Sequence, residues 1–91
     1  MKFKSTKNKG FQITFSNDIT ISVQFGQGNY CLNKQIPDNE IITECEDAEI
    51  AIWQGDEWYS FGDDTVKGWV SPDEVSEWIA KIQTVQNINQ L

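Results

Sequence analysis

Carboxylates are the most abundant reactive side chains in this sequence, and their spacing is poorly suited to catalysis. Two adjacent pairs occur in turn-like segments, Asp56-Glu57 and Asp63-Asp64. Neighbouring side chains diverge, and solvated carboxylates in turns are poor general acids or bases at neutral pH. The chain contains no His, and therefore lacks an imidazole base, a His-activated nucleophile and a His-ligated metal. We expect a protein that is not an enzyme, with no catalytic residues and no cofactor.

The two cysteines, Cys31 and Cys45, are the only thiols in the chain. The first expectation is a reduced pair packed as small apolar side chains, and a disulfide is the alternative. Two thiols without a His fill only half of a tetrahedral zinc site. The sequence therefore predicts no metal site.

Charge is distributed unevenly along the chain, whose formal net charge is −7. Residues 1–37 carry +4 and residues 38–91 carry −11, with ten acids and no base between Asp38 and Asp64. All seven basic residues are Lys, so the bidentate Arg contacts typical of phosphate recognition are missing. This balance argues against nucleic-acid binding. The acidic segment is either complementary to a basic partner or a solubilising surface.

Aromatic residues cluster beside these acids. A small sheet cannot bury four tryptophans completely, and exposed Trp and Tyr rings dominate protein interfaces. We therefore expect a contact surface around Trp53, Trp58 and Tyr59, with an ordinary aromatic core as the alternative. Tyr30 is either a further contact residue or a cover over the core. The predicted binding residues are Tyr30, Trp53, Asp56, Glu57, Trp58, Tyr59, Asp63 and Asp64.

The elements that must position these residues begin with a hairpin. Apolar and polar residues alternate strictly over 10–16 and 19–25, which predicts two half-buried strands. Only one register places every apolar residue on one face, and it opposes Phe15 with Ile19. That register requires a three-residue loop over 16–18, with Asp18 in the left-handed region.

The second half of the chain predicts another hairpin and a helix. Strands over 48–53 and 58–61 flank a turn at 54–57, and a short fifth strand covers 66–70. Ser71 is the expected N-cap of the helix, followed by Pro72, and Glu74 completes a capping box. An apolar stripe extends the helix over 71–86, and we expect residues 87–91 to fray.

These elements predict one α+β domain over residues 1–91. An antiparallel sheet of four to five strands, arranged as two hairpins, packs against one C-terminal helix. Residues 1–9 form either a lysine-rich arm or an edge strand, and residues 10–70 are mainly β. No apolar run is long enough to span a membrane, so we expect no membrane partner.

Several stretches of the chain resemble a family of small proteins encoded by bacteriophages and prophages. They are residues 2–7, 10–15, 22–26, 28–31, 48–53, 66–69 and 71–75. The resemblance implies a phage-derived accessory protein and brings no assigned activity with it. The lysine-rich residues 1–10 are followed by no apolar core typical of a signal peptide, so we expect a cytoplasmic location in the bacterial host.

The leading functional hypothesis is a non-catalytic binding protein that inhibits a host or anti-phage defence protein. The acidic region 38–64 would meet a basic surface on that partner, with Trp53, Trp58 and Tyr59 as anchors. One alternative is a protein that sequesters a nucleotide-like small molecule, in a pocket completed by a homo-oligomer. Another is a structural component of the virion.

Overall fold

The structure, a computed structural model, describes residues 1–91 and contains one six-stranded antiparallel sheet and one α-helix. The strands are β1 (Lys2–Thr6), β2 (Gly10–Thr14), β3 (Ile19–Gln24), β4 (Ala48–Gln54), β5 (Glu57–Trp58) and β6 (Val66–Val70). The helix α1 (Pro72–Ile82) follows, and a 3₁₀ turn over Ile88–Gln90 ends the chain. Strands β1 to β5 are neighbours in sequence order, and β6 also pairs with β4. The predicted α+β class is confirmed.

The β2–β3 hairpin has the predicted register. Ile13 lies opposite Ile21, and the N–H of Phe15 donates to the carbonyl of Ile19 at 2.9 Å. Asp18 has a φ of 67°, the left-handed conformation that the three-residue loop requires. A shift of one residue would move every apolar side chain to the other face, which is why the alternation determines the register.

The core lies between this sheet and α1. Ile21 on β3 and Ile52 on β4 are fully buried, as is Ile82 at the end of α1. The ten residues of the core cluster are Ile19, Ile21, Val23, Ala48, Ile50, Ile52, Val70, Val75, Ile82 and Ile88. Within the predicted strand over 48–53, the alternate residues Ala48, Ile50 and Ile52 face this core.

The start of α1 agrees with its sequence signal, with one exception. The Ser71 side chain accepts a hydrogen bond from the N–H of Glu74 at 3.2 Å, as an N-cap should. The carboxylate of Glu74, predicted to complete a capping box, instead accepts from the Lys67 ammonium and from the Trp78 indole N–H. Glu74 therefore ties α1 to β6 rather than closing the helix end.

The predicted end of the chain is wrong in two respects. The helix ends at Ile82 rather than at residue 86, and residues 87–91 do not fray. Ile88 is only 4% exposed and belongs to the core. A capping box between Asn87 and Gln90 closes the 3₁₀ turn.

Two polar side chains on the sheet hold this C-terminal segment. The amide of Asn17 donates to the carbonyls of Ile82 at 2.9 Å and Val85 at 2.8 Å. Gln54 accepts from the N–H of Ile88 at 3.0 Å and donates to the carbonyl of Gln86 at 3.1 Å. The bond to Ile82 satisfies one of the carbonyls that the end of α1 leaves unpaired, and the other three bonds hold the segment that follows the helix.

The predicted strand over 58–61 is also wrong, because β5 ends at Trp58. β6 pairs with residues 48–51 of β4 on the edge that β5 also uses, which leaves only residues 52–54 for the chain that follows the turn. Trp53 and Gln54 pair with β5, and the carbonyl of Ile52 accepts one last hydrogen bond from the N–H of Tyr59 at 2.8 Å. At the opposite edge, the alternatives for residues 1–9 are resolved in favour of an edge strand, because β1 pairs with β2 along its whole length. Neither helical segment has the length and apolar character needed to cross a lipid bilayer.

Candidate functional site

α1 packs on one face of the sheet, and we call the opposite face, on which no helix lies, the uncovered face. Its central residues Thr20, Ser22 and Ala51 are nevertheless buried. Its residues form three rows across the strands, as the register shows. The first row is Lys2, Thr14, Thr20, Trp53 and Trp58; the second is Lys4, Gln12, Ser22, Ala51 and Val66; the third is Thr6, Gly10, Gln24 and Glu49. The first two rows therefore run from a lysine on β1 to an aromatic or apolar residue at the other edge.

The middle of the uncovered face carries two separate groups of hydrogen-bonded polar side chains. The hydroxyls of Thr14 and Thr20 lie 2.8 Å apart, and Thr6 donates to Gln24 at 2.8 Å. Gln24 in turn donates to the hydroxyl of Ser22 at 3.0 Å. These groups satisfy one another, and none of them is an ionisable acid or base. They stabilise the sheet and are not arranged to activate a nucleophile.

A first pair of aromatic rings, in tilted contact, lies at the β4–β5 edge of this face. Trp53 and Trp58 are direct cross-strand partners, with ring centroids 4.7 Å apart and an interplanar angle of 31°. The tight turn that brings them together places Gly55 at a φ of 58°, where glycine has no steric cost. Trp58 remains 50% exposed. This pair meets the prediction that some tryptophan ring area reaches the surface.

A second pair, Tyr30 stacked with Trp69, lies at the end of the third row. Their ring centroids are 5.7 Å apart at an interplanar angle of 20°, and Trp69 is 58% exposed. The N–H of Tyr30 donates to the carboxylate of Glu49 at 3.1 Å, and its carbonyl accepts from the N–H of Trp69 at 2.8 Å. A Cβ at Gly68 would lie 2.6 Å from that of Tyr30, so only glycine allows this approach.

Trp69 is the site residue that the sequence analysis missed. It lies at a β-bulge where β6 has one more residue than β4, and its φ of 52° is unusual for a bulky side chain. Its neighbour Val70 is almost completely buried. Because Val70 faces the core, strand alternation predicts that its neighbour Trp69 points away from the core. This alternation is the feature of the sequence that could have identified Trp69 as a surface residue.

Tyr59 lies apart from the tryptophans with which it was grouped. Its ring makes edge-to-face contacts with Phe61 at 5.0 Å and with Trp78 at 5.4 Å between centroids, packed against the core. The structure therefore joins Trp53 to Trp58 and places Tyr59 in a different aromatic cluster. That cluster borders a shallow depression of about 560 Å³.

The predicted carboxylates are also divided between two places. Asp56 lies in the turn beside the Trp53–Trp58 pair, whereas Glu57 begins β5 opposite Gln54, on the other face of the sheet from Trp58. Both carboxylates are exposed. Asp63 and Asp64 lie in the loop before β6 and line the depression beside Tyr59. Asp64 caps this loop by accepting from the N–H of Thr65 at 2.7 Å and of Val66 at 3.3 Å.

Lys67–Glu74 is the sole ion pair within the chain. Asp56, Glu57 and Asp63 are therefore exposed carboxylates without a cationic partner in the protein. Of these three, Asp56 and Glu57 are the ones that flank an exposed aromatic pair.

The loop that precedes Tyr30 is held by hydrogen bonds within residues 26–34. The N–H of Gly26 donates to the side chain of Asn29 at 3.0 Å, and the N–H of Gly28 donates to the carbonyl of Lys34 at 3.0 Å. Backbone amides used in this way are not directed at a phosphate. The loop therefore serves to position Tyr30, whose ring also lies 4.9 Å from the Lys34 ammonium.

Comparisons with protein-family models, with curated proteins and with solved structures found no match for this chain. The function proposed for the chain therefore rests on the geometry of the site itself.

Proposed function

We propose that this protein is a non-catalytic binding protein that contacts another protein through one edge of the uncovered face. We call this edge the aromatic edge and define it as Tyr30, Trp53, Trp58 and Trp69. The observation that carries the proposal is that two pairs of contacting aromatic rings lie on one edge, with Trp58 and Trp69 each at least half exposed. Tryptophan and tyrosine in such positions are the residues most enriched at interface hot spots.

The indole N–H groups support the same proposal. Trp78, in the cluster near α1, donates its indole N–H to Glu74 at 3.2 Å. The indole N–H groups of Trp53, Trp58 and Trp69 have no acceptor within the chain. A partner that supplies acceptors there would gain both hydrogen bonds and buried ring area.

The aromatic edge is held in place before any partner arrives. Trp53 and Trp58 are fixed by strand pairing, and Tyr30 is fixed by Glu49 and by the backbone of Trp69. Association is costly when side chains and loops must be ordered, and rigid aromatic rings reduce that cost.

The charge beside the aromatic edge favours a basic partner surface. Asp56, in the turn beside the Trp53–Trp58 pair, and Glu57, which precedes Trp58 on β5, have no cationic partner, whereas Lys2 and Lys4 lie at the other edge of the uncovered face. Such a separation of charge orients an incoming protein and accelerates encounter. The resemblance to phage-encoded proteins makes host and defence proteins of bacteria the first partners to test, with inhibition as the expected consequence of binding.

The test is capture of a partner from bacterial lysate, followed by affinity measurement with the purified partner. We expect Trp58→Ala and Trp69→Ala each to weaken binding by about 30-fold or more, because truncation of a hot-spot residue costs about 2 kcal/mol or more. Ile41→Ala is the matched control, because Ile41 is 79% exposed and its segment contacts the β1–β2 turn instead.

Charge reversal separates the two groups of carboxylates. The double variant Asp56→Lys/Glu57→Lys should slow association and reduce its salt dependence, whereas Asp63→Lys should leave both unchanged. Equal capture by wild type and the tryptophan variants would refute the proposal. Thermal stabilisation by nucleotides without any captured protein would instead favour the sequestering alternative.

A further inference from the structure

Three potential metal ligands converge where the loop after β3 meets the segment before β4. They are the thiols of Cys31 and Cys45 and the carboxylate of Asp47, with one ligand atom from each lying within 4.8 Å of the others. The Sγ of Cys45 lies 3.5 Å from Oδ1 of Asp47. The same oxygen accepts a hydrogen bond from the N–H of Leu32 at 2.8 Å, which fixes the carboxylate beside Cys31.

We propose that Cys31, Cys45 and Asp47 form a binding site for a thiophilic divalent cation, with Zn²⁺ as the expected ion. Thiolate ligands select zinc over hard cations such as Mg²⁺ and Ca²⁺. The expectation of no metal counted the two thiols alone, because Asp47 becomes a third ligand only through the fold.

The spacing of the donors suits tetrahedral coordination. With zinc–sulfur bonds of about 2.3 Å and zinc–oxygen bonds of about 2.0 Å, the sulfur–oxygen edge of a tetrahedron is about 3.5 Å and the sulfur–sulfur edge about 3.8 Å. The 3.5 Å between Sγ of Cys45 and Oδ1 of Asp47 matches the sulfur–oxygen edge. The ligand atoms all lie within 4.8 Å of one another, and a sulfur–sulfur edge of about 3.8 Å falls within that limit. Small side-chain rotations would complete three corners.

The fourth position is open to water. Cys45 is half-buried and, together with Asp47, lines a groove of about 310 Å³ that runs towards the start of α1. Three protein ligands and one water are the arrangement of an open zinc site rather than a closed structural one.

The electrostatics of the cluster favour a cation. None of the three residues forms an ion pair. The ammonium of Lys34, the next basic residue along the chain, lies over the Tyr30 ring. A divalent ion would supply the missing positive charge and displace the thiol protons.

Bound metal would join the two segments that hold Tyr30. Cys31 directly follows Tyr30, and Asp47 precedes β4 by one residue. The site does not depend on the proposed binding of a protein partner, and its test needs no partner.

The experiment is a titration of the reduced, metal-free protein with Co²⁺, followed by displacement with Zn²⁺. We expect one ion per chain, a thiolate-to-metal charge-transfer band, the visible bands of tetrahedral Co²⁺, and release of protons. Zn²⁺ at a hundredfold excess over its Kd should raise the Tm by roughly 10 °C.

The variants identify the ligands. Cys45→Ser should weaken Zn²⁺ binding by more than about 100-fold, and Asp47→Asn by about 10–100-fold, because Asn keeps the bond from Leu32 but loses the charge. Glu46→Gln is the matched control, since Glu46 is exposed and lies between two of the ligands in sequence. If Cys45→Ser does not fold, the spectra of wild type and Asp47→Asn decide.

Three outcomes would overturn the proposal. They are a Co²⁺ titration of the reduced wild type without a charge-transfer band, undiminished binding by Asp47→Asn and Cys45→Ser, and an equal loss of affinity in Glu46→Gln. Rapid formation of a Cys31–Cys45 disulfide in a protein that binds no ion when reduced would assign the thiol pair to redox chemistry instead.

Discussion

The two faces of the sheet are built from alternate residues of the same strands, yet they differ in almost every physical property. On β4, Ile50 and Ile52 point towards α1 and are fully buried, whereas Glu49 and Trp53 point away and are half-buried. The covered face gains its stability from apolar burial. The uncovered face pairs its own polar groups with one another and leaves aromatic area in contact with solvent.

The aromatic residues divide in the same way. Near α1, the ring of Tyr59 makes edge-to-face contacts with Phe61 and Trp78, and that cluster packs on the core. On the uncovered face the rings contact each other in pairs, at interplanar angles of 20° and 31°, with one ring of each pair at least half exposed. A cluster whose area is already buried stabilises the fold, whereas an aromatic pair at the surface retains area that a partner can bury.

The largest difference between the faces should appear on truncation of one residue from each. Ile52→Ala should lower the free energy of unfolding by about 2–5 kcal/mol, because it leaves a cavity in the core. Trp58→Ala should cost about 0.5–1.5 kcal/mol, the value of one aromatic contact. Urea denaturation measures both. Similar losses in the two variants would mean that the faces do not divide stability and contact in this way.

The second prediction concerns the polar bonds that connect the sheet to the C-terminal segment. Asn17→Ala removes the donor to the carbonyls of Ile82 and Val85 and should cost about 1–3 kcal/mol. Hydrogen exchange should accelerate over residues 83–91 more than in the β2–β3 hairpin. Asn89→Ala is the control, because Asn89 is exposed and its side chain makes no hydrogen bond. Uniform acceleration along the chain would contradict a local role for Asn17.

The extent to which this fold could be predicted follows from the range of the interactions. Local patterns determined the β2–β3 register and the N-cap at Ser71, since alternation and capping involve residues close in sequence. The bonds from Asn17 and Gln54 to the C-terminal segment join residues more than thirty positions apart, and no local pattern indicates them. Helix and tail boundaries were wrong for this reason.

The site shows the same limit. Trp53 and Trp58 were placed together because a short turn joins them, and the structure pairs them. Tyr59 follows Trp58 directly, but the strand ends there because β6 occupies the remaining edge of β4. Trp69 meets Tyr30 only through a β-bulge and a glycine contact, which depend on long-range pairing.

The third prediction tests that glycine contact on the uncovered face. Gly68→Ala would place a methyl group 2.6 Å from the Cβ of Tyr30 and should force the ring away from Trp69. We expect a loss of about 1–2 kcal/mol, in the lower part of the range for overpacking, because Tyr30 is at the surface and can shift. Partner binding should fall further than stability. Ser60→Ala is the control, because it removes only a local loop contact. Gly62→Ala is unsuitable as a control, because Gly62 has a positive φ at which a side chain adds strain.

If Gly68→Ala lowered stability while leaving partner affinity intact, Tyr30 would be excluded from the interface. Tyr30→Phe refines the result, because it keeps the stack with Trp69 and removes only the hydroxyl. Unchanged binding by Tyr30→Phe together with weakened binding by Gly68→Ala would assign the effect to the position of the ring.

The smallest expected effect belongs to the ion pair on the covered face and depends on pH. Hydrogen bonding from Lys67 is the main cause that lowers the pKa of Glu74, and the bond from Trp78 adds to it, while burial opposes both. Because the folded pKa is lower than the unfolded value of about 4.3, the carboxylate contributes stability above that value and loses it as pH falls through the folded pKa. Both side chains are partly exposed, so the contribution is small.

As the pH falls from about 5 to roughly 3, the free energy of unfolding should therefore decrease less in Glu74→Gln than in wild type. Urea denaturation at each pH measures this difference. Glu57→Gln is the matched control, because Glu57 is exposed on β5 without a cationic partner. Lys67→Met should reproduce much of the Glu74→Gln profile, since it removes the main cause of the lowered pKa. Parallel acid profiles for wild type and Glu74→Gln would show that the link between β6 and α1 is a contact without an electrostatic contribution to stability.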